Sequence, residues 1–356
     1  MRYSVNSLLQ LSLSLLKGFG CEQDEADIVA DHLVNANLSG HDSHGIGMLP
    51  MYGKQVQGGS LIPNQTPDLF PPIGAVTCVD ARRGFGHHMA LLSLDHAMKT
   101  IPEHKVAILG MRNAGHVSRV GTYSEYCASK GYVSIHMVNV VGHDSIVAPF
   151  GSRESAISTN PISMAMPIDN TASPLLDMAT SKVAFGKARV AHNKGESMPD
   201  GCLIDSEGVP TNNPSPMVEN RNGALTAFGE HKGSGLGLFV ELFAGALVSR
   251  DTAADAGKMP DGAINALFSV ILDPAAFDDV AAFESRASTF CDYVKNLQPA
   301  KGTDEVLLPG EPEKMARVDR NANGIDVDQQ TVAELLDIGN AFNLDKNALE
   351  ATLEPA

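Results

Sequence analysis

Apolar residues at the start of the chain fall into two helical stripes. From Val5 to Gly18 leucines recur at Leu8, Leu9, Leu11, Leu13, Leu15 and Leu16. From Gln23 to Leu38 the residues Ala26, Ile28, Val29, Leu33 and Ala36 approach the i, i+3, i+4, i+7 spacing of a helix with one buried face. Gly40 stands where that second helix should stop. A short helical segment is expected after Gly45, and Gly58, Gly59, Pro63, Pro67, Pro71 and Pro72 then punctuate a boundary. From Gly74 the period changes. Ala75–Val79, Val106–Leu109, Tyr132–Val141 and Ala156–Ser158 are short β-prone runs, with helical patterns at His87–Thr100 and Gly121–Lys130 between them. The alternation predicts an α/β region that continues past Leu175 and Leu176 to Gly201–Ile204.

Leu236–Leu247 is apolar on nearly every face, which predicts a helix buried on all sides or lying at a subunit interface. Ala263–Leu272 reads as a strand, Pro274–Leu297 as a helix and Thr331–Phe342 as a last helix. These patterns predict a helical N-terminal domain over 1–73 and an α/β domain over 74–282 with a helical insertion near 231–260. A C-terminal helical segment, 283–356, is expected to pack on the N-terminal domain.

At 356 residues, 43% apolar and 19% charged, the chain can bury a large core and is not a disordered one. A formal charge of -16 with no cluster of Lys and Arg excludes a phosphate-backbone partner. The odd set Cys21, Cys78, Cys127, Cys202 and Cys291 lacks any CxxC pair, which fits reduced thiols in the cytoplasm. The leucine-rich start has no basic flank or cleavage pattern, so an amphipathic helix is expected rather than a signal peptide. No membrane-spanning run is expected either.

The densest candidate chemistry is the stretch Ala36–Tyr52, ANLSGHDSHGIGMLPMY. His41, Asp42, Ser43 and His44 should occupy a tight loop after the second helix, where an imidazole with a carboxylate or hydroxyl beside it can transfer protons. The plainer reading is that the histidines cap the helix or the glycine turn. A metal site formed by His41, Asp42 and His44, with His87 and His88 as a further pair, would make the protein a metal-dependent hydrolase or lyase. Gly40 and Gly45 argue against the helix such spacing needs. No G-x-S-x-G elbow supports a serine nucleophile. In NAGHVSRVG, from Asn113, His116 and Arg119 lie in a glycine-flanked loop where Arg could fork onto a carboxylate or phosphate. Asp177, at the end of a strand, either caps the next helix or orients a histidine. Gly233, Gly235 and Gly237 do not make the G-x-G-x-x-G fingerprint and are read as close-packing positions. His231 and Lys232 just before them sit where a helix start favours an anion.

Taken together, SHGIGMLPMY from Ser43, NAGHVSRVG, VAPFGS from Val147, STNP from Ser158, LLDMATS from Leu175, GCLIDSEGVPTNNP from Gly201, HKGSGLGL from His231 and LLPGEPE from Leu307 resemble the malate/L-lactate dehydrogenase family. The resemblance runs in order over nearly the whole chain. It implies a non-Rossmann fold of the α/β (α+β) class, in which a largely antiparallel sheet binds the dinucleotide and the helical N- and C-terminal segments pack together. It further implies a homodimer that interconverts 2-oxo acids, or cyclic imine acids, with 2-hydroxy or amino acids. The cofactor would be NAD or NADP, with NAD preferred.

The HDSHGIGM form, Arg119 and the PGEPE tail are most similar to the hydroxycarboxylate dehydrogenase subgroup. On that resemblance His44 is the proton donor and acceptor, Asp177 tunes it, and His116 is the other candidate base. Cofactor contacts are implied for His44, Ser118, Arg119, Val120, Leu175, Leu176, Asp177, Met178, Ala179, His231, Lys232, Asn265, Gly310, Glu311, Pro312, Glu313 and Lys314. Substrate contacts are implied for Ser43, Met48, Arg119, Thr159 and Asn160, with no metal. Many members have Arg where this chain has Met48. Either another cation such as Arg119 takes the substrate carboxylate, or the substrate carries a bulkier, more apolar side chain.

Overall fold

The computed structural model describes residues 1–168, 174–258 and 262–356, so positions 259 and 260 of the expected insertion lie outside it. Seven strands form one sheet in the order Asp68–Leu69, Val76–Asp80, Val106–Ala114, Ile264–Leu272, Val133–Val141, Ile162–Ala165 and Leu175–Met178. Every neighbouring pair is antiparallel except Val76–Asp80 beside Val106–Ala114. The latest strand in sequence, Ile264–Leu272, is therefore the middle one. Its run of apolar residues reflects cover on both faces. On one face Leu267 and Ile271 share a core with Leu109, Met111 and Val138 and with Met89 and Leu94 of the helix Gly86–Met98. On the other lies the helix His231–Val240, which continues as π-helix over Glu241–Ser249. There the Phe243 ring stacks on Phe268 with centroids 5.1 Å apart.

That long helix, His231–Ser249, departs from the first of the two settings expected for it and from the expectation of no run long enough to span a membrane. It is not buried on all sides, because Leu238, Phe239 and Leu247 are 52%, 57% and 65% exposed. At 19 residues and a mean hydropathy of 1.2 it is also long and apolar enough to cross a membrane, although here it lies along the sheet.

The helices Val5–Gly18 and Gln23–Leu38 begin and end where the pattern puts them. Leu8, Leu11, Leu15 and Leu16 of the first meet Val29, Ala30 and Leu33 of the second, together with Leu335, Ile338 and Leu349 near the C-terminus. Gly53 lets the helix Leu49–Gln57 press onto this layer, since a Cβ there would stand 2.6 Å from Ile338 Cγ1. The strand Arg2–Tyr3 pairs antiparallel with Ile325–Asp326, drawing both ends of the chain together.

Local departures have local causes. Ala156–Ser158 forms only a bridge, Val147 to Ile157, and joins no strand of the large sheet. Pro274–Leu297 divides into a turn at Pro274–Ala276 and a helix at Val280–Lys295, because Asp279 caps a new start through the Ala282 N–H at 3.0 Å. The helix Glu311–Asn323 is absent from the sequence reading. Its signals are Pro312 in the first turn, Glu311 and Glu313 beside it, and Gly324 after it.

Candidate active site

Gly40, with φ of +83°, turns the chain after the second helix, and Asp42–His44 follows as one 3-10 turn. Asn37 clamps this turn, donating to Asp42 Oδ1 at 2.7 Å and accepting from the Ile46 N–H at 2.9 Å. Ser118, itself at φ +57°, donates through Oγ to the His44 carbonyl at 2.7 Å and so docks the loop after Val106–Ala114 against the turn. His44 and His116 are thereby brought face to face, with ring centroids 5.8 Å apart and planes 20° off parallel. His44 Nδ1 hydrogen-bonds Ser43 Oγ at 2.9 Å. His116 Nδ1 hydrogen-bonds the Tyr52 hydroxyl at 2.9 Å, and that hydroxyl lies 3.4 Å from His87 Nε2.

His44 is half-buried, with part of its ring open to solvent. The protein packed around the rest strips solvent from its charged form and pushes its pKa down to about 4, with the positive charges of His41 and Arg119 adding to the effect. Burial pushes His116 down to about 3, helped by His44. Both rings are neutral at pH 7.

Arg119 and Asp177, both expected in the site, meet there. The guanidinium is 2% exposed, with Nε 3.2 Å from Asp177 Oδ2 and NH1 2.8 Å from Glu125 Oε2. Arg317 completes the set at 2.9 Å from Glu125. Burial raises the Asp177 pKa, while Arg119, His41 and the Gly121 N–H oppose it. Its carboxylate lies against the start of the helix Gly121–Ser129, which is not the next one in sequence. Gly121 has to be glycine, because a Cβ would lie 2.5 Å from Asp177 Oδ2. Among the described residues no bond joins Asp177 to His44, whose hydrogen-bond partner is Ser43.

The rival ligand set His41, Asp42 and His44 is pulled apart. His41 Nε2 turns to Glu313 at 3.2 Å, and Asp42 turns to Arg320 NH2 at 3.0 Å. Among the described residues no group of three potential ligands gathers.

The other expected residues are spread between a cleft, the sheet and its edge, a helix start and the interior. Leu175, Gly310, Glu313 and Lys314 border a cleft of about 540 Å³. Gly310 has φ of +92°, and a Cβ there would stand 3.0 Å from Leu175 Cβ, so the backbones approach closely. Glu311 is held by Lys295 at 2.7 Å, and Pro312 opens the helix that follows. Leu176, Met178 and Ala179 are half-buried along the edge strand, and Val120 is in the sheet core. His231 and Lys232 are exposed at a helix start, the first packed edge-on to Phe150 at 5.9 Å. Gly233 and Gly237 are packing positions as expected. A Cβ on the first would strike the Phe228 carbonyl, and one on the second would lie 2.8 Å from Thr180 Oγ1, whereas Gly235 faces open space.

In the interior, the Thr159 carbonyl accepts from the Thr180 N–H at 2.8 Å, and Asn160 is fully buried. Asn265 accepts from the Val117 N–H at 2.8 Å and donates to the Asn139 carbonyl at 2.9 Å, so it steadies the His116 loop. Met48 packs against the helical core. Sequence reasoning weighed His87 only as a metal ligand and gave Tyr52 no role of its own, and it missed Glu125, Arg317, Asn139 and Glu241. Only Glu241 had a signal, as a lone acid inside an apolar helix.

The family model described as malate/L-lactate dehydrogenase matches residues 3–336. The chain belongs to that family. It is 37% identical to hydroxycarboxylate dehydrogenase B of Escherichia coli (strain K12) over 98% of this chain and 97% of that one. It is 36% identical to an L-lactate dehydrogenase of Cupriavidus necator over 89% and 91% of the two chains. The solved sulfolactate dehydrogenase from Methanocaldococcus jannaschii superposes with a TM-score of 0.87 at 29% identity, covering 98% of this chain and 99% of that one. As a malate/L-lactate dehydrogenase family member, the protein is an oxidoreductase that moves a hydride between a nicotinamide cofactor and 2-oxo or 2-hydroxy acids. The mixed fold around a mostly antiparallel sheet, and the missing glycine fingerprint, follow from that membership.

Proposed function

We propose that this dehydrogenase uses His44 as its acid and base, with NAD as hydride carrier and a 2-hydroxy acid bearing a sizeable apolar side chain as substrate. The observation that carries the assignment is the half-open, neutral imidazole of His44, with Nδ1 engaged by Ser43 and no described partner on Nε2. With Nδ1–H donated to Ser43 Oγ, Nε2 keeps a lone pair. A neutral ring with a pKa near 4 is ready to take the hydroxyl proton as the alcohol carbon is oxidised. The bound nicotinamide supplies or accepts the hydride.

Reduction needs the protonated ring, which a substrate carboxylate would favour by adding a negative charge nearby. Reduction should therefore quicken as pH falls from neutrality, and oxidation should slow as pH falls toward about 4. His44→Ala should lower kcat by about 100- to 10,000-fold, or roughly 3–5 kcal/mol of barrier, with dinucleotide affinity retained. Near-normal turnover by that variant would move the role to His116.

Several observations support the finer assignments. The backbone approach at Gly310 and the helix start at His231 and Lys232 suit a dinucleotide that lies along Leu175–Ala179 and against Gly310–Lys314. The cleft carries Glu125, Glu284 and Glu313 against Lys314 and Arg317, a balance unfavourable to an extra ribose phosphate. That favours NAD, and affinities for the two dinucleotides test it. Both carboxylate partners of Arg119 engage its guanidinium, which favours the apolar-substrate explanation of Met48. A panel of 2-oxo acids graded by side-chain size tests this. The stripe Leu238, Phe239, Leu242, Phe243 and Leu247 supports a homodimer, measurable by sedimentation. Five free cysteines favour the reducing cytoplasm.

A further inference from the structure

Asn160 is fully buried, its φ is +36°, and its side-chain oxygen has no partner. Its Nδ2 donates to Glu241 Oε2 at 2.7 Å and to the Gly237 carbonyl at 3.1 Å. A backbone carbonyl can only accept, so chemistry fixes which end of the amide faces the helix, and Oδ1 is turned away from it. Glu241 is itself 5% exposed, with Oε1 accepting from the Ala253 N–H at 2.7 Å. Gly245 makes room for this arrangement, since a Cβ there would stand 2.9 Å from Asn139 Nδ2 and 3.2 Å from Glu241 Oε1. Among the described residues no Lys or Arg pairs with Glu241. This buried acid, at the point where an α-helix becomes a π-helix, accepts from the Asn160 and Asn139 amides and the Ala253 N–H rather than from a cation.

We propose that Glu241 is a positioning residue: together with Gly237 it locks Asn160 so that Oδ1 accepts a hydrogen bond from the carboxamide N–H of the nicotinamide. This rests on the cofactor reading above. A bare acceptor repels the keto oxygen and the carboxylate of a 2-oxo acid, and the hydroxyl proton of a 2-hydroxy acid is claimed by the acid-base imidazole. The dinucleotide's own donors are its ribose hydroxyls, its adenine amine and its carboxamide, and of these the carboxamide N–H is the one on the ring that exchanges hydride with the substrate. In Glu241→Gln the single amide oxygen cannot accept from both Asn160 Nδ2 and the Ala253 N–H, so the pair of bonds that fixes Asn160 on an anchored side chain is broken at one end or the other.

Calorimetry with three ligands tests the proposal: NAD, its 3-acetylpyridine analogue, whose methyl ketone has no N–H, and ADP-ribose, which lacks the ring. The wild type should bind NAD at least about tenfold more tightly than the analogue. Glu241→Gln should weaken NAD about tenfold, bring it level with the analogue and leave ADP-ribose unchanged. Asn160→Ala should do the same by removing the acceptor, and it keeps the test open if the first variant folds poorly. Equal loss of NAD and ADP-ribose, or no discrimination in the wild type, would overturn the proposal. A wild type that binds ADP-ribose and NAD not at all would overturn the cofactor reading itself.

Discussion

The two halves of the interior are held by different physics. In the helical layer Leu8, Leu11, Leu15, Leu16 and Leu33 meet Leu335 and Ile338 in an aliphatic core, and the polar side chains its helices bury, such as Ser12 and Glu25, are few beside it. Beside the sheet, His32, His87, His136, Arg119, Asn139, Asn160, Glu241 and Asn265 are all buried. The first region depends on volume and tolerates apolar replacement of similar size. The second depends on matched donors, acceptors and charges, and each partner removed strands another. The proposed chemistry gathers beside the second, and the first holds the His44 turn against it.

Variants should separate the two regimes. Arg119→Ala leaves the buried Asp177 without its cation and Glu125 with Arg317 alone, and should cost about 3–5 kcal/mol of stability, read by denaturant unfolding. A loss below about 1 kcal/mol would mean the buried pair is not what holds that loop. Leu15→Ala in the apolar layer should cost about 3 kcal/mol through the cavity it opens, with the same value at pH 8 and pH 6. A marked pH dependence of that loss would erase the distinction between the regions.

Titration sharpens it further. Burial holds His32 and His136 at about 3, and His87 is lowered in the same direction. In the unfolded chain each takes up a proton near pH 6.5. Their contribution to stability is therefore complete above about 6.5 and declines as pH falls toward 3, by up to about 1.4 kcal/mol per pH unit for each ring. His136→Asn should flatten that slope, whereas Leu15→Ala should shift the whole curve. The smallest effect is expected at the helix over the sheet. Gly235→Ala meets open space and should stabilise by about 0.5–1 kcal/mol, seen as a higher Tm. A drop in NAD affinity in that variant would reveal that the cofactor uses this face.

The helical layer was legible because its cause is local. Leucines at helical spacing and a glycine at the stop specify Val5–Gly18 and Gln23–Leu38 whatever they later pack against. Likewise the strand Ile264–Leu272 announced itself by a mostly apolar run broken only at Asn265 and Ser269, though nothing in that run says it is the middle of the sheet. Eight motifs in order carried the family and its reaction class. The candidate site was legible as residue types, with His44, His116, Arg119 and Asp177 all singled out, yet their pairings were not. Asp177 reads equally as a cap, a partner of histidine or a partner of arginine until Gly121 and Arg119 are seen beside it.

The amino-acid order by itself therefore determined the two N-terminal helices, most strands of the large sheet and the set of groups able to move a proton. Only the tertiary structure decided which groups meet: His44 over His116, Arg119 between two carboxylates, and Glu241 on Asn160. The physical reason is range. Periodicity and capping act within a few residues, whereas the pairings join positions 72, 58 and 81 residues apart, at separations set by how the sheet closes around its last strand.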